Sequence, residues 1–350
     1  MRKIILVITI IIGFVSCNSV KTNETKMPSI VKIDTILSDK ISIRAIAVDG
    51  DKVYYGADKK RVGFKSLLDA SKFERAISYD SLSFEFRSCA VTNNYVYFLN
   101  VGNPAVLYRF SKDLRLKEVV YTEKHEKVFY DSMQFWNDLE GIAVGDPTDN
   151  CMSIITTKDG GKTWKKIPCS QLPSILDGEA AFAASNTNIV LKGNSVWMVS
   201  GGKKSRVFYS PDKGATWTYY ETPIVEGEAM TGIFTADFYN EKIGFVAGGN
   251  YEKQRQNFQN KAITTNGGKT WKLVGENHGF GYASCVQFFP ESDGNKLLCV
   301  GGTGVFASND KGTTWTQLSA DNSFYTIRFL NKTMAILAGK NKIVRMQFSE

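Results

Sequence analysis

Arg44, Arg87, Asp131, Glu179 and Tyr325 are the side chains with which this sequence would do chemistry, and they share a phase. Each stands at or just before the first apolar strand of a recurring pattern, with Tyr282 nearby. Two guanidiniums form a bidentate clamp for carboxylate or phosphate. Two carboxyls would add an acid and a base, and a tyrosine hydroxyl a donor. Gathered around one opening, this set would bind an anion or polar ligand. The plainer reading is that it caps and solvates that opening.

Other signatures fail on their context. Gly302-Thr303-Gly304-Val305-Phe306-Ala307 fits a dinucleotide fingerprint, but a turn of another kind follows where a helix N-terminus should hold the pyrophosphate. Gly161-Lys162-Thr163 and Gly268-Lys269-Thr270 resemble the end of a phosphate loop, yet Thr156 and Ile263 occupy the required glycine positions. The two histidines, His125 and His278, have no metal-ligand spacing, and no cysteine pair is spaced for zinc. No cofactor and no metal are therefore expected.

The elements that must position these residues come from repeats. A turn of the form Ser/Thr-x-Asp-x-Gly-x-Thr-Trp occurs four times, with Asp159, Gly161 and Trp164, then Asp212, Gly214 and Trp217. Asn266, Gly268 and Trp271 form the third copy, and Asp310, Gly312 and Trp315 the fourth. The tryptophans are 53, 54 and 44 positions apart, about one four-stranded blade each. The Asp or Asn accepts backbone N–H groups of its own turn, Gly supplies positive φ, and Trp packs on the blade. These twelve residues are expected to be structural, on hairpins away from the opening.

A second repeat, two apolar strands around a polar turn, is visible at Ala45–Gly56, Ser88–Asn100, Met133–Gly145, Ala181–Gly201, Ile233–Gly249, Cys285–Gly301 and Thr326–Gly339. The expected fold is therefore all-β, a β-propeller of seven blades of four antiparallel strands, with six or eight as alternatives. The last copy is one strand short, and Val31–Leu37 would supply that strand and close the ring. Ser66–Ala76 reads as a loop insertion between blades.

The N-terminus reads as a targeting segment. Arg2 and Lys3 precede an apolar run from Ile4 to Val15 that ends at Ser16-Cys17. This resembles the lipobox of bacterial lipoproteins, with Phe14 in place of the usual Leu. Residues 1–16 are then a signal peptide, Cys17 the lipidation site, 17–29 a flexible tether and 30–350 a single propeller domain. The net charge of +8 falls to +6 without Arg2 and Lys3, and its scatter excludes a nucleic-acid groove. Of five further cysteines, Cys151 and Cys169 lie symmetrically about the Gly160-Gly161 turn and are candidates for a disulfide; burial as small hydrophobes is the alternative.

The four turns are similar to the Asp-boxes of bacterial neuraminidase-type repeat proteins. Gly141–Pro147, Gly178–Ser185 and Gly244–Gly249 narrow the likeness. They resemble the β-propeller family of the photosystem II stability and assembly factors and their bacterial relatives, many labelled oxidoreductases. The resemblance implies a non-catalytic envelope lipoprotein, a monomeric scaffold that binds a protein or glycan partner at one face and assists assembly or stability. The lipobox-like start places the protein in the envelope, held to the membrane only through the lipid anchor, and the scarcity of acids after Cys17 favours the periplasmic face over the outer surface. One alternative is a sialidase-like glycoside hydrolase, with an arginine clamp and a Tyr nucleophile helped by Glu. Arg44 and Arg87 lack the Arg-Ile-Pro context of that family, and only Arg206 and Arg328 offer a third arginine. The second alternative is an oxidoreductase, which no cofactor motif supports.

Overall fold

The computed structural model describes residues 26–78 and 85–349. The signal peptide, Cys17 and residues 17–25 of the tether lie outside the described residues.

Short alternating or fully apolar runs separated by Gly, Asn and Asp turns favour antiparallel hairpins over helices. Among the described residues the strands form six sheets, and the helical content is one 3-10 turn at Cys169–Gln171. No described helix is long and apolar enough to cross a membrane.

Inner strands contact one another in a circle: Ile30–Asp49, Phe86–Val91, Tyr130–Phe135, Ile189–Lys192, Thr231–Phe238, Ala283–Phe288, Phe324–Asn331, and back to the first. This is a β-propeller. Counted as hydrogen-bonded sheets it has six blades, a correction to the expected seven. The cause is the strand Ile30–Asp49. Its first half pairs with Met334–Phe348 and its second half, from Ile43, with Lys52–Ala57. One unbroken strand thus fuses the closing group and the first group into a single six-stranded sheet. Its register with Met334–Phe348 runs from Ile30 opposite Phe348 to Ser42 opposite Lys340, so the two chain ends are zipped together.

Ser66–Ala76 is also corrected. Lys72–Ala76 is the outer strand of its sheet, pairing with Arg61–Ser66. Its half-polar sequence follows from its position, since an outer strand has neighbours on one side only.

The ring has two distinct faces. In the sheet of Tyr130–Phe135, Gly145 lies opposite Tyr130 and Ser153 at one end. At the other end Gly141 lies opposite Phe135 and Thr157, where the first Asp-box turn begins. The former end is called the mouth face and the latter the box face. The four boxes share one bonding pattern. Gly161, Gly214, Gly268 and Gly312 donate their N–H to Thr157, Ser210, Thr264 and Ser308 at 2.8–3.0 Å. Asp159 accepts both the N–H and the hydroxyl of Thr163, whereas Asn266 accepts the Thr270 N–H and donates its amide to the Thr270 hydroxyl. Burial would raise the Asp159 carboxyl, but the bonds from Thr163 and Thr157 outweigh it and hold the group down at about 2. Trp217, Trp271 and Trp315 close their turns by donating to the box glycine carbonyls. Cys151 and Cys169 are joined, with their Cα atoms 5.5 Å apart, while Cys89, Cys285 and Cys299 are free and buried.

The axis of the ring is filled. Residues 182–188 leave regular structure and cross the centre, bonding to strands all around it. Ser185 donates to the Ser284 carbonyl, Asn186 donates to Cys89 and accepts from Met133, and Thr187 bonds Thr235. Thr326 donates to the Ser185 carbonyl and Arg328 to that of Asn186. These bonds satisfy many of the buried polar groups along the axis, while the Asn188 amide and the Ser88 and Ser132 hydroxyls are buried without a partner among the described residues.

Candidate functional site

The hub forms the floor of the mouth. Arg44, on the strand Ile30–Asp49, donates to the Ala184 carbonyl at 3.2 Å and lies 4.2 Å over the Tyr325 ring. No acid pairs with Arg44 among the described residues. Its charge is held in place by a carbonyl and a π-face, and none of its partners neutralises it. Arg87, one inner strand on, pairs with Glu85 at 2.9 Å and lies 5.8 Å from the Phe129 ring.

Beside them is an aromatic wall. Phe182, from the hub, stacks on Phe234 with centroids 4.0 Å apart and planes within 9°. Tyr282 meets Phe234 edge-on at 4.8 Å and Tyr251 at 5.1 Å. Burial raises the Tyr282 hydroxyl above its ordinary value, with Arg44 and Arg87 opposing more weakly, so it stays a neutral donor.

Two adjoining hollows result. One, of about 240 Å3, runs between Arg44, Tyr251, Gln254, Asn322, Tyr325 and Lys340. The second, of about 180 Å3, lies between Arg44, Arg87, Phe182, Met230, Phe234 and Tyr251. Together they offer cations and flat apolar faces side by side. That combination suits a peptide or another polar chain bearing a carboxylate.

The structure thus brings Arg44, Arg87, Tyr282 and Tyr325 together and leaves out two of the expected site residues. Asp131 is a correction. It is fully buried and neither carboxylate oxygen has a hydrogen-bond partner. The register of Tyr130–Phe135 against Gly141–Gly145 slips beside it, so the residue turns inward. Burial foremost, and Asp146 next, push its carboxyl far above the usual range against the pull of Arg87. Asp146 is raised by burial too, and accepts the Ala181 N–H at the start of the hub.

Glu179 is the other correction. It lies on a two-residue strand opposite Gly202, and its side chain is 0% exposed. Arg206 binds both of its oxygens, Ser200 donates at 2.6 Å and the Leu176 N–H at 3.1 Å. Every acceptor direction is occupied from within the fold, so Glu179 does not reach a ligand at the mouth. The same pair occupies Arg206, which also stacks on Tyr219 at 4.2 Å. Arg328 is held by the hub. Neither completes a three-arginine clamp.

His125 and His278 lie on loops, accepting N–H bonds from Lys127 and Trp315. Gly304–Ser308 is a strand that runs into the fourth box, so no helix follows Gly302. Phe182, Phe234 and Tyr251 were not singled out in the sequence. Their signal was faint: Phe182 lies in Gly178–Ser185, where the fourth repeat copy runs longer than the others.

Fold and mouth together define a propeller with one closed-off, arginine-bearing socket. No family profile and no curated protein sequence matches the chain. Among solved structures it is similar to "YCF48 bound to D1 peptide", with 12% identity, a TM-score of 0.63, and 93% of this chain and 98% of that one covered. It is also similar to "YCF48 from Cyanidioschyzon merolae", with 13% identity, a TM-score of 0.61, and coverage of 92% and 98%. "Crystal structure of RRP9 WD40 repeats" matches at 10% identity and a TM-score of 0.64, covering 93% and 99%. At such identities the likeness establishes the propeller fold over nearly the whole chain and nothing finer.

Proposed function

We propose that this protein is a non-catalytic propeller scaffold of the bacterial envelope, lipid-anchored at Cys17 on the periplasmic side. In this reading it binds a segment of a partner protein at the mouth and assists assembly or stability of an envelope complex. The observation that carries it is Arg44, a guanidinium pinned by Ala184 and Tyr325 with no acid beside it, set against the aromatic wall. A charge held in that way is ready for an anion brought by a partner. The similarity to YCF48 bound to D1 peptide supports a protein partner over a glycan. The occupation of Glu179 by Arg206 counts against the glycosidase reading, because that carboxylate is held within the fold and does not assist Tyr325.

The test places a photocrosslinking residue at Asn322 in cells and identifies what it captures. Arg44→Glu is expected to reduce capture by roughly 10- to 100-fold, the range for losing one partner of a desolvated charge pair. The same partner captured equally by wild type and Arg44→Glu would refute the site. Sialoside hydrolysis lost in Arg44→Ala and Tyr325→Phe would replace this reading with the enzymatic one.

A further inference from the structure

The chain begins its first strand on the box face. Ile30 lies opposite Phe348, Phe348 donates to the Thr333 carbonyl, and Ser29 bonds Ser349. The turn Asn331–Met334 is therefore beside the first described residues, while Lys340, opposite Ser42, lines the mouth. Twenty-five residues precede the described part, with Cys17 near their end. Any anchor there pulls on the box face.

Among the described residues, that face carries the most exposed large apolar side chains, close to this origin. Leu68, 83% exposed, tips the turn after Arg61–Ser66, and Leu116, 75% exposed, tips the next sheet's turn after Ala105–Ser111. The Leu116 turn is tied to the sheet that carries Leu68. Lys112 pairs with Asp49 at 2.6 Å, the Tyr54 hydroxyl donates to the Lys112 carbonyl, and Arg75 donates to the Leu114 and Arg115 carbonyls. Arg345 donates to the Leu67 carbonyl and pairs with Asp34, linking the Leu68 turn to the first strand, where Val31 and Ile33 are exposed.

Lys65, Lys72, Arg115 and Lys117 flank the two leucines. Of the acids among them, Asp69 bonds the Ser71 N–H, and Asp113 bonds Ser111 and the Arg115 N–H and pairs with the Arg115 guanidinium at 3.7 Å. Exposed leucines at turn tips, with basic residues close by in sequence on either side, suit the headgroup boundary of a bilayer, where apolar tips insert and basic stems reach outward.

We infer that the box face docks on the membrane through the Leu68 and Leu116 turns, so that the mouth points away from it. This rests on the lipid-anchor reading for its tether, and the occupant is a lipid surface, not a second protein. Burial of each leucine strengthens docking by about tenfold or more.

The test uses the full-length processed protein, reconstituted in phosphatidylethanolamine–phosphatidylglycerol vesicles with brominated lipids. A bimane label is placed on Leu68→Cys, Leu116→Cys or, at the mouth, Asn322→Cys. The free cysteines of the described chain are buried, and label taken up by an unacylated Cys17 is subtracted with parent protein lacking the introduced cysteine. Quenching at positions 68 and 116 but not 322 is expected. Leu116→Asp is expected to lower quenching at 68 about tenfold. Absent quenching at both turns, or quenching at 322 alone, would overturn the docking geometry. The mass of the peptide containing Cys17 is read separately: an acylated Cys17 without quenching at the turns defeats the docking and leaves the anchor. An unmodified Cys17 with quenching at the turns defeats the anchor and leaves the docking.

Discussion

Replacing Arg206 by Met tests whether the Glu179 pair is structural. The pair is almost fully buried, with side chains 5% and 0% exposed. Glu179 also accepts from Ser200 and Leu176, and Arg206 also donates to the Ser174 carbonyl. Removing the guanidinium leaves a carboxylate in the interior with two of its four donors lost. Breaking one side of a buried pair costs about 3–5 kcal/mol. The remaining bonds from Ser200 and Leu176 place Arg206→Met near the lower end, at about 3 kcal/mol. The double variant Glu179→Leu/Arg206→Met removes the orphaned charge as well, and is expected to recover most of that loss. Urea unfolding followed by tryptophan fluorescence measures both, the slope serving as a check that the transition is unchanged. An Arg206→Met variant within about 1 kcal/mol of wild type would show that Glu179 is neutral or solvated in solution. Its exclusion from the mouth would then fail.

Two further predictions concern other buried groups. Denatured, unreduced protein carrying acyl chains on Cys17 should show three reactive thiols, from Cys89, Cys285 and Cys299, whereas five would exclude the Cys151–Cys169 bond. Lys261 is buried against Phe280 and donates to Asn260, and burial lowers its ammonium from 10.5 to about 8. The unfolded chain therefore binds the extra proton between those values, so stability rises with pH across that window and is flat below it. The rise is at most about 3 kcal/mol, and Lys261→Met should remove it, read as the difference between variant and wild-type unfolding curves at pH 7.5 and 10. Identical pH dependence in both would refute the assignment.

The propeller was legible because its turns are written in residues with few other uses. Asp159, Gly161 and Trp164 and their counterparts recur with the same glycine N–H bond to Ser or Thr, and the strand Val31–Leu37 is apolar enough to be seen as the missing edge. The blade count was not legible. Nothing in Ile30–Asp49 marks that its two halves would run on as one strand and join two sheets. Arg44, Arg87 and Tyr325 converge because inner strands start at a common level, which sequence phase captures. Glu179 shares that phase but sits on a two-residue strand outside the inner ring, and Asp131 sits at a register slip. Phase alone sees neither displacement. The hub has no periodicity and consists largely of small polar residues, whose partners appear only when distant strands meet.

The hub also limits what kind of chain the mouth can accept. With Ser185, Asn186 and Thr187 bonded across the axis, the socket is blind, and nothing can be threaded through the ring. A bound segment must enter and leave by the same side, as the free end of a chain or the tip of a loop does. An extended strand in mid-sequence would have to fold back on itself to reach Arg44.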